Sequence, residues 1–197
     1  MTKPVVAGLI PARYGSTRLE GKALRLIHGK PMIQWVYERC VACASLDIVA
    51  VATDDERIGS VVEEAGGTAI MTRPEHPSGT DRLAEAVQHL TCDIVVNIQG
   101  DQPFIDAVMI DECVQPLLGE PDLPMCTLMH PVSSPEDLQD PGVVKTVVDL
   151  QGNALYFSRS LVPHPHKDIA HHVYEHVGLY AYRKGFLQTL AKLPPTP

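Results

Sequence analysis

No apolar run in this 197-residue sequence is long enough to cross a membrane, and the N-terminus lacks the basic-then-apolar order of a secretory signal. Together these absences make the cytoplasm the expected compartment. Cysteine is scarce and odd in number, five in all, which argues against a secreted disulfide framework. There is no internal repeat and no low-complexity segment. Neither G-x-x-x-x-G-K-[ST] nor G-x-G-x-x-G occurs, so a Walker loop and a dinucleotide fingerprint are both set aside. Cations are outnumbered overall, with a net charge of -8. That balance argues against nucleic acid or an anionic membrane surface as partner.

What is present is concentrated near the start. Val5 to Ile10 is an apolar run that reads as a buried first strand. The loop that follows, Pro11 to Lys22, carries glycines at 15 and 21, hydroxyls at Ser16 and Thr17, and cations at Arg13, Arg18 and Lys22. Residues 13 to 30 hold five Lys or Arg against the single acid Glu20, a local balance of +4 that leaves -12 on the remainder. One basic patch on an acidic body suits a small anionic ligand. A loop leaving the carboxyl end of a parallel strand sits where open α/β sheets bind ligands. Glycines let the backbone approach a ligand, and amides with cations suit a polyphosphate. The chemistry this implies is binding of a nucleoside triphosphate, with Arg13 and Lys22 on the phosphates. The plain alternative is a solvated basic loop.

Apolar strands then alternate with helical patterns. A helix is expected from Met32 to Ala44, a strand from Asp47 to Thr53, a helix from Glu56 to Ala65 capped by Asp54-Asp55, and a short strand from Thr68 to Met71. Ser78 is expected to cap a helix running to about Leu90, before a strand from Asp93 to Gln99. Such alternation means β-α-β units and a mostly parallel sheet. After about residue 120 strands are separated by Pro, Ser, Asp and Gly: Met125–Val132, Val143–Leu150, Ala154–Ser158 and Val177–Tyr182. The reading is an α/β chain with a mixed-sheet extension. Residues 1–120 form a nucleotide-binding half, and 121–197 a second half of the same domain.

Gln99-Gly100-Asp101-Gln102-Pro103 follows a buried strand. A carboxylate there, across a cleft from a phosphate loop, is a natural Mg²⁺ ligand, although Asp101 can also simply cap the next turn. Cys40 and Cys43 have redox spacing but fall in an expected helix, and read as packing atoms. His164, His166, His171 and His172 read as a loop rather than a zinc site.

The pattern A-R-x-x-S-T-R-L-x-G-K, from Ala12 to Lys22, resembles the N-terminal motif of the CMP-Kdo synthetases, the 3-deoxy-manno-octulosonate cytidylyltransferase family. Thr72 to Arg82 resembles that family's T-R-x-x-H-x-S-G-T-E-R, and Tyr156–Arg159 and His176–Arg183 match Y-F-S-R and H-x-G-I-Y-x-Y-R. Glu20 stands where the family usually has proline, and Gln102 where Q-G-D-E-P has glutamate. The resemblance implies a Rossmann-like nucleotidyltransferase fold and transfer of CMP from CTP to a 3-deoxy-2-ulosonic acid (Kdo), for lipopolysaccharide assembly. By the same resemblance, Arg13, Lys22 and Asp101 carry catalysis, with Mg²⁺ on Asp101. Ala12, Ser16, Arg73, Ser78 and Gln99 join Arg13 and Lys22 on the nucleotide, Arg73 and Ser78 against cytosine. Gln99, Arg159, His176 and Tyr180 would face the sugar, and the working unit would be a homodimer. A CMP-sialic acid or amino-Kdo synthetase, or a chain that binds nucleotide without turnover, stays open at this stage. Family members continue past Leu193-Pro194-Pro195-Thr196-Pro197 with a further helix and an acidic segment. The expectation is that catalysis by these 197 residues is weaker than by a longer chain, and that a second metal carboxylate belongs to that segment.

Overall fold

In the computed structural model, residues 3–15, 19–164 and 172–194 are described. Chain contacts divide it into two units, Met1–Cys126 with Leu179–Pro197, and Thr127–Gly178.

The first unit is built on β1 (Val6–Ala12), almost wholly buried. The hairpin strands β2 (Leu26–Ile27) and β3 (Lys30–Pro31) lead into α1 (Met32–Val41). β1 then pairs in parallel with β4 (Ile48–Thr53), and β4 with β5 (Ala69–Met71). Between them lies α2 (Glu56–Glu64), and after β5 comes α3 (Gly79–Ala86). On its other side β1 pairs in parallel with β6 (Ile94–Asn97), whose four residues are all buried. Strands covered on both faces must be apolar throughout, which is why these runs do not alternate. Next come α4 (Ala107–Gly119), β7 (Met125–Pro131) and the single turn α5 (Pro135–Gln139). The strands β8 (Lys145–Val148), β9 (Ala154–Ser158) and β10 (Tyr174–Arg183) follow, and α6 (Lys184–Leu190) closes the described chain. The second half of β10 returns to the first unit and runs antiparallel to β6, Tyr180 opposite Asn97. One core cluster joins Leu9, Ala52, Leu83, Val87, Val95 and Leu187, tying α3 and α6 to one face of the sheet.

The caps follow the sequence. Asp55 Oδ1 accepts from the Arg57 amide at 3.0 Å, Ser78 Oγ from the Asp81 amide at 3.2 Å, and Asp106 Oδ1 from the Val108 amide at 3.0 Å. Each satisfies an amide that the first helical turn leaves unpaired.

Four details differ from the sequence reading. α1 stops at Val41, so Cys43 lies beyond the helix rather than within it. α3 tightens into a 3-10 turn at Val87–His89 before Leu90. β10 starts at Tyr174, not Val177. α4 fills a stretch for which the sequence suggested no element; Pro116 inside it removes a backbone donor and obscures the helical signal.

In the second unit β8 and β9 form an antiparallel hairpin around Gly152, which has φ of 86°. Tyr174 and Glu175 of β10 pair with β8. Lys145 is fully buried here, and its ammonium donates to the carbonyls of Asp140 at 2.7 Å and Val143 at 2.9 Å. No helix among the described residues is long and apolar enough to cross a membrane.

Leu83 packs in the cluster that fastens α3 to the sheet. Leu83→Ala is expected to lower stability by about 2–5 kcal/mol, read from the urea midpoint at unchanged slope.

Candidate nucleotide-binding site

β1, β4 and β6 are parallel, so their carboxyl ends lie along one edge of the first unit. A cavity of about 490 Å³ opens there, and Ala12, Arg13, Lys22, Ser78, Gln99 and Asp101 all line it. Six residues singled out in the sequence, 89 positions apart at the extremes, thus meet in one hollow.

The loop after β1 closes on itself through the Gly21 amide, which donates to the Tyr14 carbonyl at 2.9 Å. Gly21 has φ of 65°, and a Cβ there would lie 3.0 Å from the Tyr14 ring. The Arg57 guanidinium lies over that ring, 3.5 Å from the centroid. Lys22 follows at once and starts a single 3-10 turn. Ser16, Thr17 and Arg18 lie outside the described residues. Behind the cavity Gly100 sits directly on β1: a Cβ would come within 2.8 Å of the Pro11 carbonyl oxygen. This close approach carries Gln99 and Asp101 to the mouth of the loop after β1.

Lys22 Nζ donates to Asp101 Oδ2 at 2.7 Å, with both side chains partly exposed. Such a pair adds little stability in water, but it fixes a cation and a carboxylate side by side at the cavity. Gln99 Nε2 donates to Asn97 Oδ1 at 3.4 Å. Asn97 and Thr80 lie within hydrogen-bond reach of the buried Tyr182 hydroxyl, whose pKa burial pushes up to about 12. Tyr180 stacks on Tyr182 with ring centroids 6.0 Å apart and packs against the core cluster. The side-chain oxygen Oε1 of Gln102 is buried without a hydrogen-bond partner.

α3 builds the wall facing the loop. Ser78 both caps this helix and lines the cavity. Arg82, one turn on, is buried and also lines it. Its guanidinium donates to Asp54 Oδ2 at 2.8 Å, Thr72 Oγ1 at 2.5 Å and the Arg73 carbonyl at 3.4 Å. Glu85, three residues further along the same face, accepts from the Arg73 amide at 3.3 Å, from Arg73 Nε at 3.1 Å, and from His76 Nε2. Arg73 is therefore drawn to Glu85, and lines a neighbouring hollow with Gln88, His89 and Lys192. His76 lines both hollows. Neither His76 nor Arg82 was assigned a role from the sequence. Their signal is spacing: Ser78, Arg82 and Glu85 share one face of a short helix.

Arg159 and His176 belong to the second unit. Arg159 is exposed and donates to the Pro141 carbonyl at 2.6 Å. His176 Nε2 lies 2.9 Å from Thr127 Oγ1, its ring meets Phe157 edge-on at 4.8 Å, and burial lowers its pKa. Cys40 and Cys43 are buried free thiols, and burial pushes Cys40 up to about 12, as fits packing atoms. His166 and His171 lie outside the described residues.

Among the described residues no three His, Cys, Asp or Glu side chains converge as a closed metal cage. Mg²⁺ bound with a nucleotide does not need one: it keeps waters and takes one or two carboxylates besides the phosphates. A single carboxylate in a cation-lined cavity fits that mode.

The profile of the cytidylyltransferase family matches residues 7–197. The chain belongs to that family. The 3-deoxy-manno-octulosonate cytidylyltransferases of Syntrophotalea carbinolica and Desulfatibacillum aliphaticivorans are 47% and 51% identical to it, over 98% and 96% of this chain and 80% and 79% of theirs. A structure of CMP:2-keto-3-deoxy-manno-octonic acid synthetase complexed with CTP matches with a TM-score of 0.93 at 46% identity, covering 98% of this chain and 79% of that one. A cytidylyltransferase from Leptospira borgpetersenii shares the fold at 19% identity, with a TM-score of 0.64. The cytidylyltransferase architecture thus agrees with the α/β reading of the sequence.

Glu85 supplies a pH test. Burial raises its pKa, but hydrogen bonds from His76 and Arg73 outweigh that and hold it below the ordinary 4.5. A lowered folded-state pKa adds stability that is complete above the unfolded value and lost as pH falls through the folded one. The stability of wild type should therefore drop more steeply than that of Glu85→Gln between about pH 6 and pH 3. Urea unfolding across that range measures the difference, and the two curves should converge in acid.

Proposed function

We propose that this chain transfers CMP from CTP to 3-deoxy-manno-octulosonate and releases pyrophosphate. The observation that carries the reading is the single cavity where Arg13, Lys22, Ser78, Gln99 and Asp101 meet, in a chain about half identical to enzymes named for this reaction.

The anomeric hydroxyl of the sugar attacks the α-phosphate in line, and pyrophosphate leaves from the opposite side. Arg13 and Lys22 bind the phosphate oxygens and balance the charge that the leaving group gains. Positioning and charge neutralisation supply the catalysis, with no covalent enzyme intermediate. Asp101 would hold Mg²⁺, which when bound neutralises and orients the phosphates. With the metal on Asp101, Lys22 would be free to bind the nucleotide's phosphate oxygens. Ala12, with the loop that follows, and Gln99 lie along the nucleotide, and Ser78 toward its base. Arg159 offers the planar fork that pairs with a sugar carboxylate. The reaction is placed in the cytoplasm, its product an activated sugar for lipopolysaccharide assembly. A homodimer completes the proposal, supported by the exposed Leu150, Leu155 and Tyr156 of the second unit.

Pyrophosphate release should require both CTP and Kdo, and ATP should not replace CTP. Release with no ulosonic acid in a panel, or equal rates with ATP and CTP, would overturn the reading. Asp101→Asn should lower turnover about 10- to 100-fold while the melting temperature stays close to wild type. Near-normal turnover of that variant at limiting magnesium would remove Asp101 from the metal.

A further inference from the structure

The segment from Thr72 to Ser78 has no regular structure of its own, yet its last three residues, His76, Pro77 and Ser78, form one wall of the cavity. It is held by two side chains of α3. Arg82 takes the Thr72 hydroxyl and the Arg73 carbonyl, and Glu85 takes the Arg73 amide, the Arg73 guanidinium and the His76 ring. These bonds have a chemical consequence for His76. An ionised carboxylate only accepts, so the His76 nitrogen facing Glu85, Nε2, carries the ring hydrogen. With Nε2–H given to Glu85, Nδ1 is an acceptor whenever the ring carries one proton. His76 is nearly buried, and lines the cavity beside Pro77, Ser78 and Gly79.

We propose that His76 selects the nucleobase, and that Glu85 is the residue that positions it for this. With Nε2–H committed to Glu85, Nδ1 accepts from the exocyclic amine of cytosine. Uracil presents a carbonyl at the same place, where two acceptors face each other and neither is paired. A site built around such a hydrogen bond rejects the analogue that cannot make it. Arg73 is tied to α3 at three points, its amide and guanidinium on Glu85 and its carbonyl on Arg82, which fixes the segment that carries His76. This inference rests on CTP as the nucleotide, and adds the residue that tells CTP from UTP.

The test is calorimetric titration of the full chain with CTP and with UTP. In His76→Gln the side-chain amide still donates to Glu85 but offers no second ring nitrogen. The CTP-to-UTP affinity ratio should fall about tenfold, chiefly through weaker CTP binding, with little change in melting temperature. Glu85→Gln should lower the same ratio and raise KM for CTP more than it lowers kcat, a split that general destabilisation does not produce. If His76→Gln folds poorly, His76→Met supplies a variant of similar volume for the same measurement. An unchanged ratio in the folded His76 variants overturns the proposal. So does a ratio lost in Arg73→Ala but kept in His76→Gln, which would return base recognition to Arg73. A wild-type chain that binds CTP and UTP equally overturns both this proposal and the cytidylyl reading. A wild type that prefers CTP, with His76→Gln preferring it just as strongly, overturns this proposal alone.

Discussion

One guanidinium holds the wall of the cavity together. Arg82 is buried on α3 and joins Asp54 at the end of β4, Thr72 just past β5, and the carbonyl of Arg73. The β4–β5 pairing and the Thr72 bonds to the Thr53 carbonyl bring the first two segments together, and Arg82 fastens α3 to both. A buried charge pair gains little over an apolar substitute, but removing one partner strands the other at a cost of about 3–5 kcal/mol. The arrangement therefore specifies geometry more than it adds stability. α3 sits where its cap, Ser78, and its buried arginine both reach the cavity, and Glu85 on the same helix binds His76.

Much of this was legible in the chain. The first strand, its glycine- and cation-bearing loop, the Asp55 and Ser78 caps and the Gln99–Asp101 turn are local features. Each is written in residues that dictate their own backbone or must be buried. Their convergence follows from the parallel order of β1, β4 and β6, which alternation with helices already implies. What was not legible depends on contacts across the fold. Asp54 and Asp55 are equivalent candidates for a cap in sequence; only the position of Arg82 sends Asp55 to the helix and Asp54 to the buried pair. Likewise Arg73 and His76 both stand in the motif. Which of them lines the cavity is decided by Glu85, nine and twelve residues away along the chain. α4 escaped notice because its proline hides the helical pattern.

The second unit was harder to read for a different reason. Its hairpin strands are short; β9 is largely exposed and β8 buries a lysine and a threonine, so hydrophobic patterning says little about them. Arg159 and His176 were marked by resemblance to a family and not by spacing. The structure gives each of them neighbours, Pro141 and Thr127, within that unit. Lys145 went unremarked in the sequence, yet its ammonium is held inside the unit by two backbone carbonyls.

The contact between Lys22 and Asp101 alters how the cavity looks to a passing anion. A lysine already matched by a carboxylate projects little net field beyond a Debye length. Counting cations in the loop thus overstates the pull on simple phosphate or on a nucleotide without its metal. A metal-loaded polyphosphate would differ, because it would bring both signs of charge and offer each member of the pair a new partner. Its entry would be an exchange of partners rather than an attraction. Discrimination against other phosphorylated anions would then be set by whether the arriving molecule can satisfy both residues at once.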